Sequence, residues 1–251
     1  MILSIVSQKG GVGKTTTAAM IAAGLALKNK RALLVDLDAQ CNLSLAVGAL
    51  GSQYNIKDVL TGQIDAPTAV VETGQYKIIS GSGELATLEV DSTDSIKNAL
   101  APLSSQYDFI ILDTPPHLSL ITINALTASD AAIITLQADL FSLQSLAQLT
   151  ETINAVKSTT NPGLSILGLL INRYNGRAGF SQAFAEHINA AAGELNTTVF
   201  KTPIRESVIV KEAVASQKSI FEYAPRAKQT EDFNALINDI LKRVKQHGKK
   251  G

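Results

Sequence analysis

Ser7-Gln8-Lys9-Gly10-Gly11-Val12-Gly13-Lys14-Thr15-Thr16 lies between an apolar run, Ile2 to Val6, and an Ala- and Leu-rich stretch, Ala18 to Leu27, that reads as a helix. Strand, glycine loop and helix in that order make the context of a phosphate-binding loop. Glycines let the backbone wrap a phosphate chain closely with its N–H groups turned inward. The helix adds its unpaired first N–H groups and its dipole. The strict G-x-x-x-x-G-K-[ST] form would begin at residue 8, which is Gln8, so the loop is a variant closed by Gly13-Lys14-Thr15. Gly10, Gly11, Val12, Gly13 and Thr16 are expected to line the phosphates, Lys14 to reach the β- and γ-phosphates, and Thr15 to offer its hydroxyl to Mg²⁺. Lys9 has two readings on residue chemistry alone, a phosphate-facing cation or a solvated loop charge.

The remaining composition narrows the field. A chain of 251 residues fits one large α/β domain with a substantial core. Lys and Arg number 22, as do Asp and Glu, so no global charge draws the chain to nucleic acid. The distribution is uneven: residues 1–200 carry 11 basic against 16 acidic side chains, and residues 201–251 carry 11 against 6. The basic C-terminal part points to an anionic partner surface. The single cysteine, Cys41, excludes a disulfide framework and fits a cytosolic protein. His117, His187 and His247 are scattered, and no Cys/His group has metal-ligand spacing. No apolar stretch is long enough for a membrane span, and the N-terminus leads into a strand rather than a signal sequence. The absence of tryptophan argues against an aromatic platform for single strands.

Further apolar runs read as strands at Ala32 to Val35, Tyr76 to Ile79, Phe109 to Leu112, Ala131 to Leu136 and Leu164 to Ile171, with a short one at Thr198 to Phe200. Continuous rather than alternating, they suit parallel strands buried on both faces. Helices are expected within 42–52, at Ile56 to Leu60 behind the cap Asn55, and at 93–103, 119–128, 142–157, 178–192, 208–215 and 230–246. The alternation predicts an α/β single-domain P-loop NTPase, a mostly parallel twisted sheet with helices on both faces. The domain spans residues 1–251, with closing helices from about 207 and a basic tail at 242–251.

In such sheets ligands gather beyond the carboxyl ends of the strands, and three aspartates stand there. Asp113 follows Phe109 to Leu112 and precedes Thr114-Pro115-Pro116, where proline stops the ladder. Paired with the glycine loop, it is placed to hold Mg²⁺ directly or through water. Asp36 and Asp38 end a neighbouring strand, each in position to meet Mg²⁺ or a water. Phosphoryl transfer rests on positioning and charge stabilisation, so some group must orient water in line with the γ-phosphate. One of the two aspartates is expected to cap the next turn, and residue chemistry does not say which.

Taken together, these segments resemble the ParA/Soj partition ATPases, within the wider deviant-Walker-A group that includes MinD-like proteins. The likeness runs along essentially the whole chain. It rests on the loop Lys9 to Thr16, on Val35-Asp36-Leu37-Asp38-Ala39-Gln40-Cys41-Asn42, on Tyr107 to Pro116, and on Glu212-Ala213 followed by Lys218-Ser219-Ile220. It implies an ATPase using ATP and Mg²⁺, with Lys9, Lys14, Asp38 and Asp113 as the catalytic set. Lys9 looks like the signature lysine that reaches the partner's nucleotide across an ATP-sandwich dimer. Asp38 resembles the water-positioning aspartate of switch I, and Asp113 opens switch II. Thr15, Asp36 and Asp113 form the implied metal set. Asn172 falls where the family contacts adenine, an amide matching the base's donor–acceptor edge. Arg173 stands near the nucleotide, and Pro203 onward to Glu212 resembles the segment lining base and dimer interface.

Two departures stand out. Ala39-Gln40-Cys41 replaces the common Pro-Gln-Gly, which alters switch-loop stiffness. Ile204-Arg205-Glu206 stands where many members carry Ile-Pro-Arg, putting an acid in a basic slot. A DNA-contacting face would then draw on Lys211, Lys218, Arg226, Lys228, Lys242, Arg243 and Lys245. The resemblance implies an ATP-state homodimer that binds non-specific DNA, cytoplasmic and nucleoid-associated. A ParB-like or other cargo-bound protein would release it by stimulating hydrolysis, moving a plasmid, a chromosome region or other cargo. The alternative is a MinD-like membrane-surface regulator. Leu236, Ile237, Ile240, Leu241 and Val244 recur at helical spacing beside Lys242, Arg243, Lys245, Lys249 and Lys250, as in a helix that lies on acidic lipid. Packing of that apolar face on the body is the expected outcome, so a membrane partner is not expected.

Overall fold

Six parallel strands and one antiparallel edge strand make a single sheet in a computed structural model that describes residues 1–89, 92–175 and 182–247. The strands are β1 (Ile2–Val6), β2 (Ala32–Asp36), β3 (Val71–Thr73), β4 (Tyr76–Ile79), β5 (Phe109–Asp113), β6 (Ala131–Leu136) and β7 (Ser165–Ile171). Their order is β3-β4-β2-β5-β1-β6-β7. Every residue of β5 and β6 is buried, as uninterrupted apolar runs require. The register sets Asp36 opposite Asp113 and Asp113 opposite Ile5, so the acidic strand ends meet beside the exit of β1.

The helices are α1 (Lys14–Leu27), α2 (Asn42–Ala46), α3 (Ile56–Leu60), α4 (Ala66–Ala69), α5 (Ser95–Leu100), α6 (Leu120–Ala128), α7 (Leu140–Thr159), α8 (Gln182–Glu194), α9 (Val208–Ala215), α10 (Ile220–Tyr223) and α11 (Lys228–His247). Two layers of apolar side chains cover the sheet. On one face Leu3 and Ile5 pack with Met20 and Ile21 of α1 and with Phe233, Ile237 and Ile240 of α11. The opposite face is covered by α7 and α8 beside β6 and β7, and by α3, α5 and α6 beside β2 and β5. Asn55 caps α3 as expected, accepting from the N–H groups of Lys57 and Asp58 while Asp58 accepts from Asn55.

Some expectations change. Thr198 to Phe200 does not form a strand; a single bridge, Leu169 to Val199, joins it to β7. Three residues are too few for a ladder, and Arg243 of α11 supplies the missing partner. Its guanidinium donates to the carbonyls of Leu167 (2.5 Å), Thr198 (3.3 Å) and Val199 (3.4 Å), and it lies over the Phe200 ring at 4.2 Å. Arg243 is therefore taken up in the body and does not belong to the exposed basic face expected of it. The antiparallel β3 and the short α4 and α10 carry too few residues to show a period. On α11, Leu236, Ile237 and Ile240 are fully buried, and Leu241 and Val244 pack against the same core. The start of the helix expected at 178–192 and the tail lysines Lys249 and Lys250 lie outside the described residues. Among the described residues, no helix is long and apolar enough to cross a membrane.

Candidate nucleotide site

The loop between β1 and α1 takes its shape from its glycines. Gly11 (φ 73°) and Gly13 (φ 91°) sit in the left-handed region, where a Cβ would strain the backbone. Gly13 also caps α1 without a side-chain hydrogen bond, leaving the first N–H groups of the helix open to an anion. Gly10, Gly11, Gly13, Lys14, Thr15 and Thr16 line a cavity of about 670 Å³, which Asp38, Gln40 and Pro116 enter from the two neighbouring strand ends. Val12 is buried behind the loop. Lys14 is also buried; loss of water pulls its pKa down, while the charges of Asp113 and Asp38 pull it up.

Asp113 is fully buried, and neither of its oxygens has a hydrogen-bond partner. Burial first, and the charge of Asp36 second, push its pKa up to about 8, against the facing Thr15 hydroxyl and Lys14 ammonium, with Asp38 adding to the rise. A carboxylate left unpartnered in the interior is costly unless a cation joins it. Asp113 beside the Thr15 hydroxyl and an open phosphate cradle therefore fits Mg²⁺ with a nucleotide. Among the described residues, no three His, Cys, Asp or Glu side chains form a metal cluster.

The structure separates the two aspartates that residue chemistry left open. Asp36 Oδ2 accepts from the Ser44 N–H (2.8 Å) and hydroxyl (2.7 Å), and Oδ1 from the Asp38 N–H (3.2 Å). Burial nevertheless raises its pKa. The Ser44 hydroxyl in turn accepts from the Gly81 N–H at 2.8 Å. Asp36 thus anchors the loop leading to α2, whereas Asp38 faces the large cavity and, among the described residues, accepts from the Gln40 N–H alone, at 3.0 Å.

A second cavity of about 170 Å³ adjoins the loop, lined by Thr17, Asn172, Ile204 and Phe233 with Arg173, Glu206 and Lys211 at its charged side. The Asn172 amide nitrogen donates to the Val12 carbonyl (3.0 Å) and the Thr17 hydroxyl (3.0 Å), while its oxygen is buried and unpartnered. Only an acceptor remains for a base, half of the edge expected. Pro203 does not line this cavity; its neighbour Ile204 does. Arg173 is engaged by Glu206 and by the Gly11 carbonyl.

Lys9 lines neither cavity; its ammonium lies 2.6 Å from Asp139 and 6.0 Å from the Phe141 ring, which is 74% exposed. Asp139 also caps α7, accepting from the Ser142 N–H at 2.9 Å. Sequence reasoning missed Asp139, Gln137 and Ser44. The first two follow β6, at the same carboxyl edge of the sheet as Asp36 and Asp113, and that position was the available signal.

The AAA domain family matches residues 1–166. The chain is 36% identical to the chromosome partitioning protein ParA of Myxococcus xanthus, over 96% of this chain and 88% of that one. It is 34% identical to the sporulation initiation inhibitor protein Soj of Bacillus subtilis, over 95% and 97%. A solved structure of cobyrinic acid a,c-diamide synthase from Mycobacterium smegmatis, with bound ATP analogue and magnesium, superposes with a TM-score of 0.81 at 28% identity, covering 97% and 95%. Aligned over nearly its whole length with these relatives, the chain belongs to the ParA/Soj family of partition ATPases.

Proposed function

We propose that this chain is a single-domain positioning ATPase, cytoplasmic and nucleoid-associated, whose ATP-bound homodimer holds non-specific DNA. A ParB-like or other cargo-bound protein releases it by stimulating hydrolysis. The observation that carries the reading is Asp38, free of Ser44's grip and facing the cavity that Lys14 and Thr15 also line, with Asp113 buried close enough for its charge to act on Lys14. Bound Mg·ATP supplies the phosphoryl group and the divalent charge. Gly10, Gly11, Val12, Gly13 and Thr16 present backbone N–H groups to it, and Lys14 offsets its charge. Thr15 and Asp113 hold the metal side, with Asp36 supporting them through the switch loop. Asn172 accepts from an amino group on the base, which favours adenine over a base with a carbonyl there. Asp38 orients water toward the phosphate. Lys9 leaves Asp139 to reach across the dimer.

DNA contact falls to Lys211, Lys218, Arg226, Lys228, Lys242 and Lys245, of which Lys218 carries an ion pair to Glu222 at 2.8 Å. A lipid-bound state is disfavoured because the apolar face of α11 is already covered. The test is DNA binding by wild type and by Asp38→Ala with ATP, with ADP and without nucleotide, across a salt series. Phosphate contacts make the expected binding ATP-dependent and steeply salt-sensitive. Asp38→Ala should keep it while hydrolysis falls at least about 100-fold. A clean ATP dimer that ignores DNA at low salt would refute the DNA assignment, and unchanged turnover in Asp38→Ala would refute the role of Asp38.

A further inference from the structure

We infer that Arg173 and Glu206 form a latch that holds the nucleotide loop and the base-reading turn in register. They are positioning residues for ATP and ADP binding, acting through the backbone of Gly11. The inference rests on the nucleotide-site reading above. It gives Arg173 a role different from direct contact with the nucleotide, and it gives a use to an acid in a slot where the resemblance led one to expect a base.

Arg173 directly follows Asn172 at the carboxyl end of β7 and has φ 52°, in the left-handed region. A non-glycine residue there is strained and persists only where its surroundings over-determine it. Three sets of contacts do so. Glu206 Oε1 accepts from Arg173 Nε (3.1 Å) and Nη2 (2.7 Å). Arg173 Nη1 donates to the Gly11 carbonyl at 3.2 Å, where Gln137 Nε2 also donates at 3.3 Å. The flanking backbone is zipped: the Tyr174 N–H donates to the Ile204 carbonyl (2.9 Å) and the Glu206 N–H to the Tyr174 carbonyl (3.0 Å).

The consequence follows from peptide geometry. In a trans peptide the N–H points opposite to the C=O. With the Gly11 carbonyl held outward by Arg173 and Gln137, the Val12 N–H must face the other way. With the Val12 carbonyl held by Asn172, the Gly13 N–H is fixed in the same manner. Two successive donors of the phosphate cradle are thus aimed by side chains from β6 and β7, and Glu206 fixes the Arg173 side chain that aims the first. An arginine at 206 would repel Arg173 and leave the latch without its acid.

The experiment measures the Kd of a fluorescent ADP analogue with Mg²⁺, a state that avoids coupling to the ATP dimer, together with the melting temperature of the nucleotide-free protein. The variants are Arg173→Ala, Glu206→Ala, the double variant, the conservative Glu206→Gln, and Lys14→Ala. Arg173→Ala and Glu206→Ala should each bind about three- to fivefold more weakly, as breaking an exposed but geometrically matched pair allows. The melting temperature should stay within about 2 °C of wild type. The double variant should bind no more weakly than the weaker single, and Glu206→Gln, whose amide oxygen still accepts from Arg173, should keep at least half of the affinity that Glu206→Ala loses. Wild-type affinity from Glu206→Ala, additive losses in the double variant, or Glu206→Gln as weak as Glu206→Ala would each overturn the latch. Lys14→Ala separates the two layers: if it binds ADP as wild type does, the site reading itself fails, whereas loss in Lys14→Ala alone leaves the site standing and removes only the latch.

Discussion

Burial holds the pKa of Asp113 higher in the folded, nucleotide-free protein than in the unfolded chain, which makes stability depend on pH. Its folded pKa of about 8 lies above the ordinary 3.8. Between those values the native state holds a proton that the unfolded state releases, so stability falls as pH rises through the window and levels off above it. Asp113→Asn removes the dependence. Nucleotide-free Asp113→Asn should melt above wild type at pH 9 and near it at pH 4, in thermal scans across that range. At the same scale, Lys9 must leave Asp139 before it can serve a partner. Asp139→Asn keeps an α7 cap but removes the charge, and an exposed pair is worth about 0.2–1 kcal/mol. ATP-dependent dimerisation, measured by sedimentation in an Asp38→Ala background, should therefore strengthen up to about fivefold. Unchanged or weaker association would remove Asp139 as a competitor for Lys9. Lys14 and Asp113 were legible because a local motif fixes both their chemistry and their place. Asp139 was not, since its partner lies 130 residues away in sequence and nothing nearby marks it.

Among the elements, the loop from β2 to α2 depends on Ser44, whose hydroxyl joins Asp36 to Gly81 at the end of β4. Ser44→Ala leaves a buried carboxylate short of a donor, a loss of about 1.5–3 kcal/mol for a hydrogen bond to a charged group. Urea unfolding should show that loss. Hydrolysis should fall more than ATP affinity, because Asp38 sits on the loop that slackens. On the other side of the sheet, Gly168 leaves no room for a side chain: an added Cβ would stand 2.6 Å from both Arg243 and Phe200. Gly168→Ala should displace the clamp and destabilise by about 1–3 kcal/mol in urea. The clamp also explains what periodicity could not show. Thr198 to Phe200 has the composition of a strand, but beyond its bridge to Leu169 the carbonyls of Thr198 and Val199 accept from a guanidinium of α11, a tertiary contact with no local trace.

For the molecule as a whole, a mostly parallel sheet and the placement of helices on both faces followed from alternating apolar runs, because buried parallel strands leave so direct a mark. The site followed where residues cluster at strand ends. What stayed hidden were side-chain partnerships between strand ends, such as Arg173 with Gly11, which depend on sheet order. Ligand binding should register globally. Mg·ADP at about 100 times its Kd adds about 2.7 kcal/mol to the folded state. For a chain of this length, that raises the melting temperature by about 5–10 °C, with no shift in Lys14→Ala. The two rims of the sheet carry a last consequence. One ends in β3, three residues long with Glu72 paired to Lys77, and the other is closed over β7 by Arg243 and the 198–200 segment. An open strand edge is a template for pairing with another chain, and short, charged or covered edges suppress it. Rims blunted in this way hold back sheet-to-sheet pairing between copies of the chain wherever their local concentration rises.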